Sequence, residues 1–431
     1  MLERIDYTNI GESVYRGVLS NGLPVNVVKK AGYSHSFAML AVNYGGADRR
    51  FKPKDEWIDT PAGVAHFLEH KMFDMPQGGN ALFTMAALGA QPNAYTSSGM
   101  TAYHFDCVDN FYENLKQLVS FVTTPYFTAE SVAKEQGIIG QEIMMCEDMP
   151  EYVVYYSLMR GLYAHHPVRD NVAGSVESIA EITPETLYLC HGSFYRPSNM
   201  CLCVAGDVDP QRVEDTAMYV LTDVDGGRPP ERDYGEPETV CPAAVRQVRK
   251  MSVSAPQFAI GIKIKPAPRG EAYMRQNMVG SMAMYCLFNQ SSPFFLRLYA
   301  NGLLNSEFTT DLDYCAGTLT AMWLGESRDP EAVQAEIAAE LKKAAEGIDP
   351  AVWARAKKSA YGARIRSLGS FSGICTAMVG GCFEGYNYMQ SFEVLSSITK
   401  EEAERFIAEN LTPERMAVSI VREDAEAAEN A

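Results

Sequence analysis

The sequence predicts an α+β protein of two homologous halves, each a mainly antiparallel sheet with helices packed on it. Three observations carry that expectation. Strand-like and helix-like segments alternate along the whole chain. One composition break, Asp225 to Pro242 (DGGRPPERDYGEPETVCP), replaces every periodic apolar signal with Gly, Pro and charge. Finally, Ile182, Thr183, Pro197 and Met200 recur as Ile398, Thr399, Pro413 and Met416, each pair 216 residues apart. In both copies an Ile-Thr pair opens a helix, a Pro follows it, and a buried strand comes next, NMCLCVAGD in one and RMAVSIVRE in the other. A matching order of elements at one offset points to duplication. The expected organisation is residues 1–226, a linker over 227–242, and residues 243–431, and a chain of 431 residues is long enough for each half to bury its own core.

The elements follow in order. LPVNVV and FAMLAVNYG read as strands. Asp109 is expected to cap a helix whose apolar residues Phe111, Leu115, Leu118 and Val122 recur with helical period. In NMCLCVAGD, Cys201 and Cys203 alternate and share one strand face, where they pack in the core. After the linker, PQFAIGIKIKP opens the second half as a strand. Asp329-Pro330 then caps a helix carrying Val333, Ile337 and Leu341 on one stripe. The run Val379–Gly385, VGGCFEG, lacks the Lys-Ser/Thr of a phosphate loop and reads as a close-packing or turn segment. The closing REDAEAAENA is an acidic tail, expected to be solvated or frayed.

Composition excludes several functions. With 37 basic against 54 acidic residues the net charge is -17, and no dense Lys/Arg stripe offsets it, which argues against nucleic acid and anionic membrane surfaces as partners. The longest near-apolar stretch, Met278 to Phe288, is far short of the roughly 18–20 residues that span a bilayer. The N-terminus carries Glu3 and Asp6 where a signal peptide needs an apolar run, so the expected location is the cytoplasm. Ten scattered cysteines with no CxxC pair read as reduced thiols.

Chemistry concentrates in PAGVAHFLEHKMF. His66, Glu69 and His70 form an HxxEH pattern, and on a helix positions i, i+3 and i+4 share about one quadrant, while Phe67 and Leu68 turn toward the core. Two imidazoles four apart can chelate one Zn²⁺, and the carboxylate between them can reach a water beside the metal. A catalytic zinc needs a third protein ligand. The segment TAESVAKEQGIIGQEIMMC offers Glu135 and Glu142, seven apart and on one helical face. Glu142 is read as the third ligand and Glu135 as its supporting carboxylate, joining Glu69 among the residues expected to serve catalysis. Glu147 competes by chain distance but lies past the best helical signal. Of the other histidines, His35, His165, His166 and His191 read as turn or surface residues and His104 as a strand residue.

These motifs, followed by PNAYTSSGMTAYHF, KEQGIIGQE, HPVRDNVAGSVESIAEIT and FYRPSNMCLCVAGDVD, resemble the inverzincin zinc peptidases of the pitrilysin, insulysin and mitochondrial processing peptidase type, most strongly from Gly63 to Asp209. The resemblance implies a clam-like chamber between two halves, zinc on His66, His70 and Glu142, Glu69 as the base, and Glu135 in support. It implies that Asn93, Ala94, Tyr95 and Thr96 form a sheet edge that pairs with the backbone of a peptide substrate. Members of the family usually carry an Arg and a Tyr in the second half, in a segment like LREKxGLAY, that hold the substrate carbonyl. Here FLRLYANGLLN ends in Asn305 where Tyr is expected and does not register Arg297 cleanly, and the second half lacks HxxEH. The expected function is a zinc metalloendopeptidase acting on unfolded peptides or short polypeptides. The alternatives are the zinc-bearing subunit of a heterodimer with a homologous chain lacking HxxEH, or an interaction subunit that retains the zinc site. Homodimerisation is also an expected mode of pairing.

Overall fold

The computed structural model describes residues 1–76 and 78–424. The chain forms two compact units. The first holds Met1–Ile143, Asn171–Tyr234 and Ile365–Met389. The second holds Met144–Asp170, Gly235–Arg364 and the stretch from Gln390.

The first unit is built on a seven-stranded sheet. Its strands are β1 (Glu3–Tyr7), β2 (Glu12–Val18), β3 (Pro24–Lys29), β4 (Ser36–Val42), β7 (Ala90–Thr96), β8 (Thr101–Cys107) and β9 (Met200–Gly206), in the order β1-β2-β3-β9-β4-β8-β7. A side sheet of three short strands joins β5 (Arg50–Lys52), β6 (Ile58–Asp59) and β10 (Glu231–Asp233). The second unit is a five-stranded sheet of β11 (Arg246–Met251), β12 (Gln257–Ile264), β13 (Thr309–Cys315), β14 (Thr318–Glu326) and β15 (Met416–Glu423), in the order β11-β15-β12-β14-β13.

The duplication is legible strand by strand. Replacing β3, β4, β7, β8 and β9 by β11 to β15 in chain order converts one sheet order into the other. In each sheet the first and last of the five run parallel and the remaining neighbours antiparallel. The 216-residue offset marks equivalent points: Thr183 and Thr399 both cap helices, Pro184–Phe194 and Lys400–Asn410, by accepting a backbone N–H three residues on. Met200 and Met416 start the equivalent strands β9 and β15. Both signals are local chemistry, a Thr cap and a buried strand start, which is why they survive in the sequence.

The compact units depart from the continuous halves 1–226 and 243–431 because each sheet receives one helix from the other stretch of sequence. Helix Pro150–Leu162 lies in the second unit, where Val154, Leu158 and Leu162 pack with Ala259, Met322 and Val421. A Cβ on Gly261 would come within 3.0 Å of Leu158 and Leu162 side-chain carbons, so the bare backbone admits this helix. Helix Phe371–Glu384 correspondingly lies in the first unit. It absorbs Val379–Glu384 of the run read as a turn or close-packing segment; the glycines there continue the helix, and Gly385, at φ 77°, ends it.

Residues 227–242 are likewise more than a spacer, since β10 pairs with β5 and Glu238 is held in the second unit. The residue at the start of the helix from Phe111 to Thr123 is Asn110, at φ 54°, rather than Asp109, and it makes no side-chain capping hydrogen bond. No described helix is long and apolar enough to cross a membrane. Residues 425–431 of the acidic tail lie outside the described residues.

Candidate active site

Helix α1 (Val64–Lys71) carries the HxxEH pattern. Phe67 and Leu68 are fully buried in the first unit's core, so the opposite face brings His66, Glu69 and His70 together. The helix starts at Gly63, which holds φ 95°; a Cβ there would sit 2.5 Å from the Ala173 carbonyl oxygen. Only glycine fits both the dihedral and the approach. Ser178 Oγ donates to the Ala62 carbonyl at 2.8 Å and ties the same junction to a second loop.

The carboxylates come from α4 (Ala129–Glu147), which follows α2 (Ala81–Ala87) and α3 (Phe111–Thr123) in the chain. Val132, Ile139 and Ile143 anchor α4 in the same core as α1. Gln136 reinforces it by donating to the carbonyls of Ile179, Ala180 and Ile182 at 3.1–3.3 Å. Glu135 and Glu142, two turns apart, then face α1.

One ligand atom from each of His66, His70 and Glu142 lies within 4.8 Å of the others, the one such group among the described residues. His66 Nε2 is 3.6 Å from Glu142 Oε1 and His70 Nε2 is 3.8 Å from Glu142 Oε2. Ligands at zinc distances of about 2.0–2.2 Å in a tetrahedral arrangement lie roughly 3.3–3.6 Å apart; these spacings come within a few tenths of an ångström of that range, and the N, N, O donor set suits a zinc ion. Glu135 Oε1 is 3.0 Å from His70 Nδ1, which directs the other ring nitrogen toward Glu142. Glu147, exposed on the last residue of α4, does not join the group.

The electrostatics separate the roles. Burial, with the neighbouring His70, pulls His66 down to about 4, so it is a neutral donor at neutral pH. Burial also acts to lower His70, but Glu135, Glu69 and Glu142 raise it overall. Glu69 is only 7% exposed, and that burial raises its carboxyl above the usual range even though Thr96 and His70 oppose the shift. Glu135 is also pushed up by burial, but hydrogen bonds from His70 and Lys71 hold it below its ordinary value.

Asn93, Ala94, Tyr95 and Thr96 lie on β7, which among the described residues pairs only with β8 and is therefore a sheet edge. Pro92 in the same strand suits an edge, where its missing N–H leaves no ladder bond unmade. Ala94 packs against the core, and Thr96 Oγ1 donates to Glu69 Oε2 at 2.6 Å. That bond was invisible in the sequence, as was the buried Lys71, which pairs with Asp74 and lies 3.6 Å from Glu135. A lysine following His70 on a core-packed helix was the available signal. His166 and His191 are buried rather than turn or surface residues. His166 Nδ1 accepts from Val168 N–H at 3.1 Å and its Nε2 meets the Ala316 carbonyl, while His191 Nε2 meets the Val122 carbonyl at 3.1 Å. A backbone carbonyl satisfies a buried ring N–H, and this pairing is long-range and leaves no local pattern.

Residues 58–175 match the family model described as "Insulinase (Peptidase family M16)", and residues 181–360 match "Peptidase M16 inactive domain". Over 427 residues the chain is 34% identical to "Uncharacterized zinc protease YmfH" of Bacillus subtilis, spanning 97% of this chain and 98% of that one. The chain belongs to peptidase family M16. Among solved structures, an M16-like peptidase from Alicyclobacillus acidocaldarius superposes on this M16 chain with a TM-score of 0.92 at 31% identity, over 96% of this chain and 99% of that one. A protease from Helicobacter pylori, at 19% identity and a TM-score of 0.81 over 94% and 98%, shares the fold. The stretch matched by the inactive-domain model, residues 181–360, contains no HxxEH motif.

Proposed function

We propose that this M16 chain is a zinc-dependent endopeptidase that hydrolyses unfolded peptides or short polypeptides in the cytoplasm, in the chamber that the family resemblance implies. The observation that carries the reading is the convergence of His66, His70 and Glu142 around one point, with Glu69 buried beside them. When bound there, zinc polarises a scissile carbonyl and lowers the pKa of water. Glu69, its pKa raised by burial, accepts a proton from the attacking water and delivers it to the leaving amine. Glu135 keeps His70 in the ligating orientation. The edge strand from Asn93 to Thr96 takes the substrate as an added strand, a mode that selects extended chains over folded ones. Ten free cysteines are in keeping with a reducing compartment.

The test is Glu69→Gln. The variant should retain zinc and bind peptide while losing hydrolysis; cleavage at the parental rate would show that Glu69 is not the base.

A second reading has its own observation. Arg297 is 2.8 Å from Glu336, Asn305 donates to Glu326 at 3.1 Å, and Tyr314 donates to the Ala267 carbonyl at 2.9 Å, so these three side chains are engaged within the second unit. This favours a chain that works with a homologous partner lacking HxxEH. Carbonyl-holding groups are worth about 100-fold to 1000-fold in turnover. Titrating such a partner into the isolated chain should raise peptide turnover by that order as the complex forms. Vigorous turnover by a strictly monomeric chain excludes the shared site.

A further inference from the structure

We infer that Thr96 is the positioning residue that aims the carboxylate of Glu69, so that docking of an extended peptide on β7 is coupled to the alignment of the base. The inference rests on the peptidase reading above and deepens it. A carboxylate on a helix can rotate about its last bond, and a base is effective only when one oxygen is turned to the proton it removes. Thr96 Oγ1 donates to Glu69 Oε2 at 2.6 Å, a short charge-assisted bond. A hydroxyl has one proton to give. The competing acceptor, Thr101 Oγ1, lies farther off at 3.4 Å and spends its own proton on the Tyr44 carbonyl at 2.9 Å. The Thr96 proton therefore goes to Glu69. With Oε2 held, Oε1 is the oxygen left to take a proton from water.

The bond is placed where substrate acts. Thr96 is the last residue of the edge strand, and the turn after it is held from behind: Gly46 N–H donates to Ser97 O at 3.0 Å and Ala47 N–H to Ser98 O at 2.9 Å. A Cβ on Gly45 would lie 2.5 Å from Ser97 O, so this support is in close contact. Asp48, 3% exposed, fixes the supporting loop by accepting from Gly45 N–H at 2.9 Å and pairing with Arg232 at 3.0 Å. One end of β7 is thus anchored, and among the described residues no strand pairs with its outer edge, where the Ala94 N–H donates to Asn93 Oδ1 at 2.8 Å. A peptide hydrogen-bonded along Asn93–Thr96 braces the stretch of backbone that carries the hydroxyl.

The experiment compares Thr96→Val, which keeps the shape and removes the proton, with Thr96→Ser, which keeps the proton. The substrate is fluorescein-labelled casein, an unfolded polypeptide, and zinc content is measured in parallel. Thr96→Val should lower kcat by about 10-fold to 100-fold, a part of what a positioned base supplies, with KM within about twofold and zinc fully retained. Thr96→Ser should recover most of the loss. Parental kcat in Thr96→Val, zinc loss in that variant, or failure of Ser to recover activity with zinc bound would each overturn the inference. A crystal structure of Thr96→Val gives a readout independent of turnover: the Glu69 carboxylate should rotate away from its parental orientation, and an unchanged orientation would also overturn it. Activity surviving in Glu69→Gln would instead sink the peptidase mechanism, whatever Thr96 does.

Discussion

His66 and His70 are the same side chain four residues apart, yet their surroundings drive them in opposite directions. Burial and the adjacent imidazole hold His66 down to about 4, whereas Glu135 and the other carboxylates outweigh burial at His70 and lift it. The bond from Glu135 that raises the proton affinity of His70 would equally strengthen it as a metal ligand. His66→Ala or His70→Ala should abolish stable zinc binding, since either removes one of the three proposed ligands. Glu135→Gln should weaken it by about 10-fold to 100-fold. Metal analysis after dialysis against a graded chelator checks both, and full zinc occupancy in a variant lacking both histidines would discard the assignment.

Helix α1 is only eight residues long, too short to hold its own shape, so its precision comes from how it is packed and started. Phe67 and Leu68 fasten one face, and Gly63 sets the entry angle under the Ala173 carbonyl. Gly63→Ala forces a side chain into a positive φ and a 2.5 Å approach to backbone oxygen. The expected cost is about 1–3 kcal/mol of stability, with weaker zinc binding because both histidines ride on this helix. Thermal unfolding with and without zinc tests this; an unchanged Tm and zinc affinity would mean the junction relaxes freely. The edge strand depends on its neighbours in the same way. Its pattern AQPNAYT marks a strand, but its position at the edge is decided by the order in which seven strands pair.

Across the whole molecule, exchange of one helix between the two stretches of sequence makes the connecting segments structural. Within the second unit, Glu238 accepts from the N–H groups of His165 at 2.6 Å and His166 at 2.9 Å, and pairs with Lys263 at 2.7 Å. The buried Lys263 ammonium also donates to the last carbonyl of helix Pro150–Leu162, Leu162 O, at 2.8 Å. Burial acts to raise Glu238, but Lys263 and the backbone donors bring it down to about 2. A carboxyl whose folded pKa is depressed adds stability above its unfolded value near 4.5 and loses it as pH falls toward about 2. Glu238→Gln should therefore lower the Tm at neutral pH, and the gap from the parent should close across that acid range. A gap independent of pH would show that packing, not charge, accounts for the loss.

What the sequence determined by itself is what repeats locally. Helical period placed His66, Glu69 and His70 on one face, and it put Glu135 and Glu142 on another with seven residues between them. Thr caps and strand starts recorded the 216-residue duplication, because a cap needs only a hydroxyl three residues from an N–H. Tertiary structure alone decided that Thr96 hydrogen-bonds Glu69, that His166 and His191 are buried against carbonyls, and that helices Pro150–Leu162 and Phe371–Glu384 trade places. Each of these is a meeting of groups far apart in the chain, set by how cores fill and strands pair. Such contacts impose no period on the sequence, so neither spacing nor composition carries a trace of them.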